Sequence, residues 1–388
     1  MTYGIELEYM LVDAASLNVR PLAESLLLEA GEPRDEVERG SLRWSNELVS
    51  HVIELKTAGP LESLADLEEV FQDGVNQINA RLAPFKARLL PTAMHPWMDP
   101  LRETVLWPHG NREIYQAYDR IFDCRGHGWA NLQSTHINLG FVGETDFLRL
   151  HAAARLVLPL LPALAASSPY VAGHFSGLMD TRLDFYRHNQ RRIPAITGRV
   201  IPEPVASVEE YRAKILEPMY RAIAPFDPAG LLQDDWLNSR GVIARFERST
   251  IEIRLLDVQE CPLADLAVAR LVAAVIEQLA VAADWRNYNA LSTTRLATCL
   301  EATTRLADAA LITEPDYLKN LGIDKQALSA GELWQALAQR CCPASVWLVE
   351  RGPLAERLVR RLGTAPEPEE LRKVYAELAD CLAHGRVF

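Results

Sequence analysis

Acidic and basic side chains recur on one face of two predicted strands in this chain. Glu252 and Arg254 alternate with aliphatic residues, and Glu6 and Glu8 do the same near the N-terminus. In a strand, a period of two places such charges together on the face opposite the aliphatic side chains. Each face is either the solvated side of an antiparallel strand or part of a site that uses carboxylates and an arginine.

Two more pairs of polar residues accompany predicted strands. His136 and Asn138 share one face of the stretch 132–140. Glu47 and Glu54 are seven residues apart, so a regular strand would place them on opposite faces. Both can face one site only if Glu47 precedes the strand or a bulge intervenes. Each pair alone has a plain structural explanation, but the four pairs together predict one acidic site.

This combined set favours chemistry with metal ions and phosphate. Several carboxylates and one imidazole within a few ångströms of one another would repel unless cations neutralise them. Hard oxygen ligands of this kind suit Mg2+ or Mn2+, which proteins usually share with substrate phosphates. The planar guanidinium of Arg254 would then grip phosphate oxygens at two points.

A sheet is needed to bring these side chains together. Ser63 and Asp66 have the spacing of a capping box before a helical pattern. The chain shows no regular alternation of strand and helix and no glycine-rich phosphate loop, which predicts an α+β fold with an antiparallel sheet. The pattern predicts strands at 3–12, 48–56, 89–94, 132–140 and 241–257, and helices at 21–30, 64–82, 112–122, 146–166, 207–224 and 263–283, followed by further helices.

Residues 173–204 break every periodic pattern. Glycines and prolines interrupt this segment, five arginines crowd between them, and Phe185 and Tyr186 argue against disorder. A loop of this length inside a folded domain is most often functional. We therefore expect it to shield a reaction from water.

Composition excludes several classes of protein. The 388 residues carry a net charge of -12 without a sustained basic run, which argues against a nucleic-acid partner. The six cysteines form no CxxC pair, so neither a disulfide framework nor a structural zinc site is indicated. Prolines or charges interrupt the longest apolar stretches, 156–166 and 266–283, and we expect a cytoplasmic protein with no membrane partner.

The ordered set of motifs resembles the glutamate-cysteine ligase superfamily, and its bacterial carboxylate-amine ligase branch is the most similar. The resemblance covers about residues 3–285 and rests on six stretches in order: Gly4-Ile-Glu-Leu-Glu, Glu47 to Glu54, His95-Pro-Trp, Thr135-His-Ile-Asn138, the loop from Arg187 to Gly198, and Thr250 to Asp257. It implies a glutamine-synthetase-like fold, in which an antiparallel sheet curves into a cup flanked by helices. Residues 1–290 would form the catalytic domain, and residues 291–388 a helical region packed on it.

The same resemblance implies a reaction and a set of roles. Such enzymes use ATP and Mg2+ to phosphorylate the γ-carboxylate of glutamate, or of a related acid, before an amine displaces the phosphate. Glu252 and Arg254 would be catalytic, with Arg254 on the transferring phosphoryl group, and Arg187, Asn189 and Asn138 would help bind substrate. The implied metal ligands are Glu6, Glu8, Glu47, Glu54, His136 and Glu252.

Several alternatives stay open at the level of sequence. His136-Ile-Asn138 resembles the glutathione-making type, whereas the nearest branch often has His-x-His, so cysteine, another amino acid and a polyamine are all possible amines. A two-metal hydrolase could use the same carboxylates without a nucleotide. A metal or nucleotide binder without activity is the third alternative. The apolar C-terminal helices are a possible homodimer interface.

Overall fold

An eight-stranded antiparallel sheet organises the fold in the computed structural model, which describes residues 1–388. Three small two-stranded sheets, each of two-residue strands, lie within residues 28–33, 170–175 and 311–329. The strands of the main sheet are β1 (Tyr3–Asp13), β2 (Glu36–Arg39), β3 (Leu42–Asn46), β4 (Val52–Thr57), β5 (Ala87–Leu90), β6 (Ser134–Gly140), β7 (Val242–Arg245) and β8 (Thr250–Asp257).

The long strand β1 lies at the centre of the sheet, whose order is β7-β8-β6-β1-β4-β3-β2. Its first half pairs with β6, its middle with β4, and its last residues with β5. This register sets Glu6 opposite both His136 and Lys56, and it sets Glu8 opposite Glu54. Since directly opposed residues point to the same face, the antiparallel pairing collects these side chains on one side of the sheet.

The other face of the sheet is buried under helices. Ile5, Leu7, Ile137 and Ile251 on this face are inaccessible to solvent. Helices Pro262–Ala280, Gly143–Val157 and Leu67–Leu82 cover it. The buried aliphatic side chains of this face fix the register of the strands, because a slip of one residue would move the carboxylates into the core.

One glycine permits a close approach of helix and sheet. A Cβ added at Gly74, in the helix Leu67–Leu82, would lie 2.7 Å from Leu42 Cδ1 and 3.0 Å from Leu55 Cδ2. Both leucines point to the apolar face of the sheet, Leu42 from β3 and Leu55 from β4, the strand that also carries Glu54. A larger residue at position 74 would therefore push β3 and β4 away from the helix.

The C-terminal part of the chain is helical and packs against the same core. Helix Ala330–Cys341 contacts Pro262–Ala280, and Pro368–His384 contacts β5 and Leu67–Leu82. The boundary predicted at residue 290 stays a prediction. The remaining helices are Ala23–Leu26, Pro100–Glu103, Arg112–Phe122, His127–Ala130, Leu161–Ala165, Thr181–Tyr186, Val208–Tyr211, Glu217–Ile223, Thr293–Leu306, Pro315–Asn320, Val346–Arg351 and Leu354–Leu362.

Several predicted boundaries were wrong for identifiable reasons. The capping box at Ser63 does not form: the helix begins at Leu67, and Asp66 before it has a left-handed backbone with φ of 61°. The predicted helix 146–166 is interrupted after Val157, because Pro159 and Pro162 cannot donate the backbone hydrogen bonds of a continuous helix.

Other differences concern short elements. The helix predicted at 21–30 shrinks to Ala23–Leu26, and the strand predicted at 89–94 is Ala87–Leu90, which ends before Pro91. Strands β2 and β3 were missed. The predicted loop 173–204 contains the helix Thr181–Tyr186, whose first turn is capped by the side chain of Asp180.

The segment Gly143–Ala165 has the length and apolar character of a membrane span, but 94% of its most apolar window is buried inside the protein. Such burial is typical of a core helix. His151 lies in this segment, packed between the rings of Phe147 and Tyr211. Its Nε2 atom is buried without a hydrogen-bond partner. Burial, followed by the charges of Arg155 and Arg240, lowers the pKa of His151 to about 3.

Replacement of His151 by leucine should make the protein less sensitive to acid. Because the pKa of His151 is lower in the folded state than the usual 6.5, only the unfolded chain takes up this proton between pH 6.5 and about 3. The contribution of the neutral His151 ring to the free energy of unfolding is thus fully present above pH 6.5 and is lost as the pH falls. Urea unfolding at pH 8 and pH 5 should show that His151→Leu avoids a loss of about 2 kcal/mol that the wild type suffers. Equal pH dependence in both proteins would contradict this account.

Candidate active site

Five of the predicted ligands meet on the polar face of the sheet and form two overlapping groups. The ligand atoms of Glu6, Glu54 and His136 lie within 4.8 Å of one another, and so do those of Glu8, Glu47 and Glu54. Glu54 therefore belongs to both groups. Glu47 lies after the end of β3 and before β4, which resolves its odd spacing: it precedes the strand.

The second group is strongly acidic. Burial first, and then the neighbouring Glu8 and Glu54, raise the pKa of Glu47 well above its usual value. Burial and the adjacent Glu6 raise the pKa of Glu54 to about 8. These shifts express the cost of holding several negative charges at one buried place, a cost that bound cations would remove.

Hydrogen bonds hold the first group in place. Asn138 Nδ2 donates to Glu6 Oε1 at 2.9 Å, and His136 Nδ1 lies 3.2 Å from Glu6 Oε2. Burial alone would raise the pKa of Glu6, but the hydrogen bond and charge of His136, with Glu54 and Lys56, together outweigh burial, and the pKa is lowered. Burial likewise opposes the charged imidazole, yet Glu6, Glu8 and Glu252 raise the pKa of His136.

Glu8 is anchored by Ser134. The backbone N–H and the hydroxyl of Ser134 donate to Glu8 Oε2 at 2.7 and 3.0 Å. The same hydroxyl lies 2.9 Å from His136 Nε2. Ser134 therefore orients one member of each acidic group.

The donor set fits a hard divalent cation. Four carboxylates and one imidazole supply mostly oxygen ligands, which Mg2+ and Mn2+ prefer, and the raised pKa values of Glu47 and Glu54 show that the cluster lacks positive charge. Lys56 supplies part of that charge, since its Nζ lies 3.4 Å from Glu54 Oε2 and 2.6 Å from Glu36 Oε2.

Glu252 lies next to these groups and is held by two arginines. Its Oε1 is 2.7 Å from Arg254 Nε, and its Oε2 is 3.0 Å from Arg245 Nη1. Burial would raise the pKa of Glu252, but Arg254 and the other cations lower it. His136 Nδ1 is 3.7 Å from Glu252 Oε1. The predicted ligand Glu252 is thus adjacent to the first acidic group, through His136, and belongs to neither group.

Two cavities flank the carboxylates. The larger has a volume of about 870 Å³ and reaches Glu6, Lys56 and Asn138. The smaller, of about 230 Å³, reaches Glu8, Glu47, His136 and Arg254. Aromatic rings form much of the smaller cavity's wall, namely those of Tyr115, Tyr118, Trp129, Tyr186 and Trp236.

The predicted substrate residues are divided between different places. Asn138 lines the larger cavity and Asn189 the smaller one, where its amide donates to the carbonyl of Gly128. Arg187 lines neither cavity: it forms ion pairs with Asp184 at 3.3 Å and Glu301 at 3.1 Å. The arginine that the segment 173–204 does bring to the smaller cavity is Arg182.

Sequence reasoning missed several residues of this site. Ser134 and Lys56 could have been found, because each is two residues from a predicted ligand on the same strand face. Tyr115, Trp129 and Trp236 gave no such signal. They come from separate helical segments, and only the tertiary fold brings them to one cavity.

Comparison with known proteins identifies the family of the chain. The family model of glutamate-cysteine ligase family 2 (GCS2) matches residues 2–375. The chain belongs to glutamate-cysteine ligase family 2. The chain is 40% identical over 274 residues to an uncharacterized protein of Archaeoglobus fulgidus. The aligned residues cover 70% of this chain and 73% of that protein.

Two solved ligases have a similar fold. A glutamate-cysteine ligase of Francisella tularensis, solved in complex with AMP, has a TM-score of 0.57 at 13% identity and covers 99% of this chain and 88% of its own. A bifunctional glutathione synthetase of Pasteurella multocida has a TM-score of 0.59 at 14% identity. The match spans 99% of this chain but only 52% of that synthetase. The α+β fold with an antiparallel sheet, predicted from the sequence, is therefore confirmed.

Replacement of Glu54 by glutamine should weaken binding of Mn2+ at both acidic groups. Glu54 is the one carboxylate that they share, and an amide keeps its shape but removes its charge. We expect the dissociation constant to rise on the order of 10- to 100-fold. Calorimetric titration with Mn2+ measures the change, and Glu38→Gln, an exposed acid on β2, is the matched control. Equal affinity in Glu54→Gln and wild type would exclude Glu54 as a ligand.

Proposed function

We propose that the protein is an ATP- and Mg2+-dependent carboxylate-amine ligase, which phosphorylates the γ-carboxylate of glutamate, or of a related acid, and joins it to cysteine or another amine. The observation that carries this proposal is the position of the acidic groups between two cavities of different character. A transfer between a nucleotide and a second substrate needs such an arrangement, because the two reactants approach the reacting phosphoryl group from opposite sides.

The larger cavity suits the nucleotide. Arg43, Lys56 and Arg248 line it and offer positive charge for phosphates, while Phe141 and Val142 offer an apolar surface for a base. AMP is present in the structure of the similar Francisella tularensis ligase. The lining supports a nucleotide in this cavity, and the likeness to the AMP-bound ligase supports adenine as its base.

The acidic groups would hold the metal ions. Glu6, Glu54 and His136 would bind one ion, and Glu8, Glu47 and Glu54 another. Bound Mg2+ neutralises charge on the nucleotide phosphates and on the phosphoryl group in transfer. Ser134 and Asn138 keep Glu8 and Glu6 oriented toward these positions.

Arg254 is our candidate for the residue that stabilises the transferring phosphoryl group. It lines the smaller cavity, and Glu252 fixes its guanidinium from behind through the 2.7 Å ion pair. A guanidinium fixed in this way offers its remaining donors to developing negative charge without having to reorganise. Glu252 thus acts on the reaction at least through Arg254.

The smaller cavity would take the acid and the amine. Its aromatic walls exclude water, which protects an activated acyl phosphate from hydrolysis. Arg182, Tyr186 and Asn189 line it, which supports the prediction that the segment 173–204 shields the reaction from water. The predicted role of Arg187 in binding substrate has no support from its position between Asp184 and Glu301, outside both cavities.

Two alternatives make different predictions. A two-metal hydrolase would act with metal alone, and a binder without activity would take nucleotide without releasing ADP. The volume of the larger cavity, with Arg43, Lys56 and Arg248 among its lining residues, favours a nucleotide-dependent reaction over hydrolysis. A cytoplasmic location and a homodimer remain predictions.

The decisive experiment is ADP release by the purified protein with ATP, Mg2+ and L-glutamate. Parallel reactions supply cysteine, other amino acids and polyamines one at a time. We expect ADP release that depends on both glutamate and one class of amine. Hydrolysis of amides or phosphoesters with metal alone, and no ADP in any reaction, would refute the ligase and support the hydrolase.

The variant Glu252→Gln should lose ATP turnover while its fold persists. Loss of the negative charge leaves Arg254 without its partner and alters the charge beside His136. We expect kcat to fall about 100- to 1000-fold. Circular dichroism confirms the fold, and Glu247→Gln, an exposed acid in the turn before β8, is the control. Near-normal turnover in Glu252→Gln would remove Glu252 from the mechanism.

A further inference from the structure

Strand β8 contains a bulge at the place where it carries Arg254. The strand pairs with β6 in register as far as Ile253, opposite Ile137, and pairing resumes at Leu256, opposite Thr135. Three steps on β8 thus correspond to two on β6, which inserts one extra residue. Bulges of this kind change the direction of a side chain and leave backbone groups without ladder partners.

The guanidinium of Arg182 occupies this bulge. Its Nη2 donates to the carbonyl of Arg254 at 2.9 Å, and its Nη1 donates to the carbonyl of Leu255 at 3.3 Å. Only 3% of the Arg182 side chain is exposed. Buried carbonyls without partners are costly, and at this bulge one side chain donates to two of them.

Arg182 is itself fixed from several sides. Its Nη1 lies 3.4 Å from Asp257 Oδ1, and the backbone N–H of Arg182 donates to Ser168 Oγ at 3.1 Å. Asp257 Oδ2 in turn accepts hydrogen bonds from Ser167 N at 2.8 Å and from Ser168 Oγ at 2.7 Å. These contacts connect the two carbonyls at the bulge to a rigid buried network.

We propose that Arg182 is a positioning residue for Arg254, which acts by holding the bulge of β8 and thereby the direction of the Arg254 side chain. This inference rests on the proposed function, in which Arg254 meets the transferring phosphoryl group. Arg182 and Tyr186 lie on one short helix, and both also line the smaller cavity. A molecule bound in that cavity would therefore contact the same helix whose Arg182 holds the direction of the Arg254 side chain.

The role requires the shape of arginine as well as its charge. A planar guanidinium can donate to two carbonyls and face a carboxylate at the same time, whereas the ammonium of lysine is a point charge on a flexible stem. Arg182→Lys keeps the charge near Asp257 but should hold the carbonyls of Arg254 and Leu255 poorly. Arg182→Met removes both the charge and the donors.

The test compares the steady-state kinetics of Arg182→Lys and Arg182→Met with those of the wild type. A displacement of Arg254 by about 1 Å should lower kcat about 100-fold in the methionine variant and about 10-fold in the lysine variant. KM for ATP should stay within about threefold, because the larger cavity is unchanged. Arg191→Met, an exposed arginine in the same segment, is the matched control and should keep wild-type kcat.

The possible outcomes separate this inference from the proposed function. Wild-type kcat in both variants would overturn the positioning role alone. An equal loss in kcat and in ATP affinity, together with a lower melting temperature, would show a merely structural role and also overturn it. If the methionine variant does not fold, the lysine variant decides by the same criteria. Absence of amine-dependent ADP release in the wild-type protein would refute the proposed function, and with it the positioning role that rests on it.

Discussion

Repulsion among carboxylates on one face of the sheet is the constraint on which the rest of the structure depends. Glu54 is buried and Glu47 half-buried close to Glu8 and Glu6, and the pKa values of both are raised. Such a cluster persists only where strong packing elsewhere fixes the strands. The apolar face of the same sheet provides that packing, since its aliphatic side chains are buried beneath three long helices.

The central strand β1 brings polar residues of its neighbouring strands together in one site. Because β1 pairs with β6 on one side and β4 on the other, each carboxylate on β1 has a polar neighbour on both flanks. The bulge in β8 then breaks the alternation at one place. Arg254 keeps the alternation with Glu252 and lines the smaller cavity, and the extra residue of the bulge lets Leu255 and Leu256 both remain in the core. Regular alternation therefore gathers the acids and the arginine, and the bulge lies where the strand carries that arginine.

The two cavities divide the chemistry of the site. Cations at the larger one and aromatic rings at the smaller one give each a distinct environment, and the acids lie between them. The segment 173–204 reaches both the bulge and the smaller cavity, because its short helix contacts the bulge through Arg182 and lines the cavity with Arg182 and Tyr186. Its irregular sequence is thus explained by function in our proposal: the glycines and prolines allow the turns around one rigid helix.

The sequence by itself determined the fold class, the strands that carry Glu6, Glu8, His136 and Glu252, and the apolar faces beneath them. These features are local, since a period of two and the burial of aliphatic side chains depend only on neighbouring residues. Alternation could not place Glu47, which lies between strands, or reveal that Glu54 belongs to both acidic groups.

Tertiary structure alone decided which arginine of the segment 173–204 reaches the site and which rings line the smaller cavity. Arg182 and Arg187 are five residues apart in the same segment. Arg182 donates to the carbonyls at the bulge, whereas Arg187 pairs with Glu301, on a helix far along the chain. The physical reason is that contacts between residues far apart in the chain depend on how whole elements pack. No periodic pattern encodes that packing, whereas the strand faces follow directly from the spacing of polar and apolar residues.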